Sequence, residues 1–146
     1  MKRVYEIFRY TVKGAVRVQV RRVKFDTYRV RAKAKAGNIT SLKHAGAAIR
    51  LAAINSVRFR KGPSPPWTPP HTHTMRLKKA IHFSVFRNPD GVVIGTNIHV
   101  FGICGVAHEY GGRFRRQVYP PRPFMRPALL RVLPRLPKYW ANSIQN

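Results

Sequence analysis

The sequence predicts an α+β protein in which a small antiparallel sheet packs against a long helix and shorter helices, with an extended proline-rich arm. Three observations predict it. From Ser41 to Val57 small and apolar residues recur at spacings of three and four, the period of a helix face. IHFSVF and VVIG, two β-prone runs, flank Asn88-Pro89-Asp90-Gly91, a strong turn signal. Arg58 to Pro70, RFRKGPSPPWTPP, holds five prolines, which fix φ and remove donors and so exclude both helix and inner strand.

The elements follow in chain order. Ala15 to Phe25 alternates Val16, Val18 and Val20 with Arg17, Gln19 and Arg21, the period of a half-exposed strand with a basic outer face. Asp26 can cap a helix that begins at Thr27 and carries Ala32, Ala34 and Ala36, with Gly37-Asn38 ending it. A second helix, capped by Thr40, is expected over Ser41 to Val57, with Leu42, Ala45, Ile49, Ala52, Ala53 and Ser56 on its buried face. The proline run should form a stiff arm with Trp67 as its apolar tip, lying on a neighbouring subunit. A short helical turn from HTHTMRLKKA leads into the hairpin, and the glycines of FGICGVAHEYGG bracket a short helix near Cys104 to Tyr110. A strand over Arg113 to Tyr119 and a helix over Phe124 to Leu133, interrupted by Pro134 and Pro137, complete the chain. All of it reads as one domain: a basic N-terminal strand and helix (1–38), a helix (39–59), the arm (60–74), then sheet and C-terminal helix (75–146).

Charge is the extreme feature, 29 Lys plus Arg against 4 Asp plus Glu, a formal net charge of +25. Self-repulsion on that scale disfavours an isolated compact chain and points to an anionic partner, nucleic acid or an acidic protein. Basic residues interleaved with aromatics at Arg113, Phe114, Arg115, Arg116 and Tyr119, together with Arg17, Arg21 and Arg22, are the expected contacts to DNA or another anion. No zinc finger, helix-turn-helix or RNA-recognition signature is legible, so the expected contact is sequence-blind, through phosphates. The lone Cys104 rules out an intrachain disulfide and reads as a small core residue. No run approaches the ~20 apolar residues of a membrane span. Transit-peptide character is slight in the Arg-rich N-terminus, whose Val alternation fits a strand better.

Catalytic chemistry has little to stand on. The four carboxylates, Glu6, Asp26, Asp90 and Glu109, are scattered singly, and neither a phosphate loop nor a nucleophile elbow is present. His71 and His73, with His108, Glu109 or Cys104, form the best metal candidate and the basis of a metal-dependent nuclease reading. No second pair at ligand spacing exists, which favours hydrogen-bonding roles for these histidines. The expectation is a non-enzyme with no metal and no cofactor. His108, Glu109 and Tyr110 read as a buried or subunit-contact cluster, in which Glu109 suits an intersubunit salt bridge.

The order of SLKHAGAAIRLAAINSVR, RKGPSPPWTPPHTHTMRLKKAIHF, GVVIG, GVAHEYGG, YPPRPFMRPAL and LPKYWANSI, over about residues 41 to 144, resembles the virion-morphogenesis and neck or tail-completion proteins of tailed phages. The matching positions are Val106, His108, Glu109, Gly111 and Gly112, then Arg122, Pro123, Phe124, Met125, Pro127, Ala128 and Leu129. Trp67 and Met75 depart from that pattern, standing where glycine or a small residue is expected. The resemblance implies a virion protein, assembled in the host cytoplasm, that forms a homomeric ring of six or twelve. Its neighbours would be portal-side connector or head-closure proteins and tail terminator or tail tube proteins, with double-stranded DNA in the channel. Trp67, Pro69, Pro70, His108, Glu109, Tyr110, Arg122, Pro123, Phe124 and Met125 are the implied subunit contacts. A ribosomal or organellar-ribosomal RNA-binding protein is the alternative that accounts equally for the charge and the N-terminus.

Overall fold

Asp26 opens the fold. Its carboxylate Oδ1 accepts from the Arg29 amide and starts α1, a single 30-residue helix over Thr27–Ser56. The computed structural model describes residues 26–88, 90–114, 116–141 and 143; the strand expected over 15–25, with Arg17, Arg21 and Arg22, lies outside them, as does Arg115. The two helices expected on either side of Gly37-Asn38 are one. A glycine inside a helix costs only about 1 kcal/mol, and tertiary contacts can offset that. Here Gly37 lies under the backbone of Ser143, where any Cβ would collide. The neighbouring Asn38 side chain donates to Asp90 Oδ2 (3.0 Å) and accepts from Trp140 Nε1 (2.9 Å). Thr40 caps nothing: its hydroxyl donates to the Ala36 carbonyl one turn back.

The second half of α1 buries Ser41, Ala45, Gly46, Ile49 and Ala53, close to the face expected from the sequence. Against it lies the hairpin of β3 (Ile81–Arg87) and β4 (Asp90–Thr96), antiparallel from Ile81↔Thr96 to Arg87↔Asp90. A Cβ on Gly46 would come within 2.6 Å of the Phe83 ring and 2.9 Å of the Val92 methyl, so this close seating needs glycine. Between helix and hairpin run β1 (Arg58–Phe59), the proline segment, β2 (His71–Thr72) and α2 (Arg76–Ala80). After the hairpin come α3 (Ile98–Phe101), α4 (Cys104–Tyr110), β5 (Gly112–Phe114), β6 (Gln117–Tyr119), α5 (Met125–Val132), a 3-10 turn (Leu133–Arg135) and α6 (Leu136–Trp140).

The α+β class holds, with a finer division of the strands. Among the described residues they form three separate two-stranded ladders, and β1–β2 is parallel. The strand expected over 113–119 is the β5–β6 hairpin, with Arg116 at φ 66° in its turn. Pro134 is the second residue of the 3-10 turn and Pro137 the second of α6, first-turn positions where a missing N–H costs nothing. The core joins Ala53 and Val57 to Leu77, Ile81, Phe124 and Ala128. Phe124, 1 % exposed, is thus the keystone of its own chain's core.

Candidate functional site

The sequence blocks singled out above meet around the start of α5. Phe124 is its N-cap and Met125 and Arg126 are its first residues, and their amides have no helical carbonyl to reach. The Glu109 carboxylate, delivered by the last turn of α4, takes all three. Oε2 accepts from Phe124 N (2.9 Å) and Met125 N (3.0 Å), and Oε1 accepts from Arg126 N (2.9 Å). The next residue, Pro127, has no N–H, and Ala128 N already reaches the Phe124 carbonyl. Every amide at this end is therefore accounted for, and the negative carboxylate sits at the positive end of the helix dipole.

Three further hydrogen bonds brace the clasp. Arg122 N donates to the His108 carbonyl (2.6 Å), binding the α4 and α5 approaches side by side. Arg122 Nε donates to the Ser64 carbonyl (2.7 Å), and Trp67 N donates to the Pro121 carbonyl (2.7 Å). The proline arm is thereby laid on its own chain. Pro70 and Ser64 are buried and Pro69 is half-buried, while Trp67 stays 74 % exposed at the tip. Pro63, Pro65, Pro66 and Thr68 are exposed beside it.

Several site expectations change accordingly. The Glu109 oxygens hold three amides of its own chain, and Arg29 forms an ion pair with Asp26 at 3.3 Å. Phe124 and Pro70 are interior, and Met125 packs against the core. Arg122 and Pro123 are half-buried on the chain path into α5. Tyr110 remains 78 % exposed, so of the cluster His108-Glu109-Tyr110 only the tyrosine faces outward freely. The His108 imidazole is held below its ordinary value, first by burial and second by the nearby Arg122 guanidinium.

Arg113 and Arg116 are exposed on the β5–β6 hairpin. Cys104 opens α4 in an exposed position, not the core expected of it. His71, His73, His108, Glu109 and Cys104 do not converge: among the described residues no three His, Cys, Asp or Glu side chains gather where they could hold a metal ion. Among the same residues no helix is long and apolar enough to cross a membrane. His71 uses Nδ1 toward the Gly62 carbonyl (3.3 Å), which tightens the base of the arm.

Trp67 and Met75 both carry left-handed backbone, with φ 63° and φ 60°, a conformation that glycine adopts without the Cβ penalty. Sequence reasoning missed Asn38 and Ser64, whose partners lie 52, 102 and 58 residues away. Comparison with family models, with curated proteins and with solved structures yields no match.

Proposed function

We propose that the chain is a non-enzymatic ring subunit of the phage neck or tail-completion type, joining the portal side to the tail around a DNA channel. The observation that carries this reading is the convergence of the resembling blocks on one unit. Glu109 of GVAHEYGG holds the first three amides of the helix that RPFMRPAL starts, and Arg122 ties both to the proline segment. Blocks that share a family pattern are expected to share such contacts.

A ring subunit also needs apolar surface for its neighbours. Val106, Tyr110 and Leu129 are 61 %, 78 % and 41 % exposed and line a groove of about 520 Å³ with Ile49, Ile94 and Met125. Trp67 offers a second exposed anchor, and aromatic anchors of this kind dominate interface energies.

The test is the native mass of the full chain in high salt, by light scattering with and without nuclease. A nuclease-insensitive hexamer or dodecamer is expected. A particle that falls apart with RNase overturns the ring and puts the ribosomal alternative in its place.

A further inference from the structure

A second concavity, of about 560 Å³, has Arg58, Arg60, His71 and Arg131 on its wall with Pro65 and Pro69. We infer that this pocket is a phosphodiester-binding site, and that Arg58, Arg60 and Arg131 grip the backbone of double-stranded DNA.

The cations are brought together by the fold, not by adjacency. Arg58 and His71 are paired across the parallel β1–β2 ladder, which puts their side chains on one face. Arg60 follows two residues after Arg58, the period that returns to the same face, and its amide is fixed by the Thr72 carbonyl (3.3 Å). Arg131 arrives from the last turn of α5, more than 70 positions further along. Among the described residues no carboxylate lies on the wall. The three described carboxylates are engaged elsewhere: Asp26 with the Arg29 amide, Asp90 with Asn38, Glu109 with the start of α5. Three exposed arginines on one wall without a described carboxylate beside them favour an external anion.

The chemistry of the wall selects that anion. Guanidinium forks match phosphate oxygens two at a time. An acidic peptide would want apolar anchors as well, and the only apolar lining is Pro65 and Pro69. The cationic run continues outside the pocket through exposed Lys61 and Arg135, as a polyanion longer than one phosphate would use. These residues differ from Arg113, Arg115 and Arg116, which the sequence pattern alone had suggested. The inference deepens the ring reading by naming where its DNA would be held, and it rests on that reading only for the source of the phosphates.

The experiment is fluorescence anisotropy of a labelled random-sequence DNA duplex, titrated with the full chain over a series of salt concentrations. Arg58→Ala/Arg60→Ala/Arg131→Ala is compared with a charge-matched control from exposed positions elsewhere, Arg31→Ala/Lys35→Ala/Arg87→Ala. The pocket variant should bind at least about tenfold more weakly than the control, and its log K against log salt slope should fall by about 0.9 per lost phosphate contact. Single variants Arg60→Gln and Arg131→Gln, checked by circular dichroism, should each lower the slope by about one and keep the result readable if the triple variant misfolds. Equal losses in pocket and control variants overturn the site, and so does a wild-type chain that binds polyglutamate but not duplex. Light scattering on the same samples reads the ring separately, so a lost site with an intact ring leaves the proposed function standing.

Discussion

The two ends of α5, barely two turns apart, are treated in opposite ways. At Phe124 the helix begins in the core with every amide matched to one carboxylate of the same chain. At Arg131 it ends beside Arg58 and Arg60 with no carboxylate on the shared wall. In a chain with 4 acids and 29 Lys plus Arg, the acids could have been scattered as surface counterions. Instead the described ones are built into the architecture, starting α1, joining α1 to the hairpin, and starting α5. The lesson is that each described anion joins or starts an element of the fold, two of them by accepting backbone amides, while the arginines beside the end of α5 have no described carboxylate on their wall.

The strongest way to break this contrast is Glu109→Ala. It strands the Phe124 and Met125 amides, both part-buried, and an unsatisfied buried donor costs about 1–3 kcal/mol. A loss of about 3 kcal/mol in urea unfolding is expected, with Glu109→Gln milder because its remaining carbonyl oxygen can still accept. A change within about 0.5 kcal/mol, the size of an ordinary surface substitution, would mean the carboxylate is not architectural after all.

Asn38→Ala sharpens the same contrast. As a junction between α1, β4 and α6 it loses two hydrogen bonds, at about 0.5–1.5 kcal/mol each. We expect destabilisation by about 1–2 kcal/mol, read as a lower denaturation midpoint at unchanged slope. A midpoint within the range of an ordinary surface substitution would show that the two hydrogen bonds do not hold the junction.

Why Asn38 misleads is instructive about what a sequence carries. Local signals were legible: Asp26 as a cap, the Asn88-Pro89 turn, the helix Cys104–Tyr110 between its glycines, and the apolar face of α1 around Ala45, Ile49 and Ala53. Each depends on residues within a turn or two. Gly37-Asn38 has the local grammar of a helix end, and only the crossing of Ser143 and the partners Asp90 and Trp140 make it an interior. The site divides the same way. His108, Glu109, Arg122 and Phe124 were singled out as a group, but their roles hang on contacts such as Arg122 to Ser64, 58 residues apart. The Arg58, Arg60 and Arg131 cluster left no trace in the sequence, because one member comes from a distant helix in a chain where arginine is everywhere.

The smallest expected effect concerns His108, whose carbonyl receives the Arg122 amide while burial, and after it the Arg122 charge, holds its ring below the ordinary histidine value. A histidine whose folded value lies below its unfolded one takes up a proton on unfolding, so acid favours the unfolded chain. Stability should be fully present above the unfolded value of about 6.5 and should decline as pH falls from there toward the depressed folded value. Urea midpoints of the wild type and His108→Gln, at about pH 7.5 and about pH 5.5, isolate this contribution from the other histidines. The wild type should lose more on acidification than the variant. Raising salt should shrink only the part due to Arg122, since burial is not screened. Identical acid losses in the two proteins would show that the clasp carries no titrating weight at His108. They would leave Glu109, whose charge meets backbone amides, as the element that orders this end of α5.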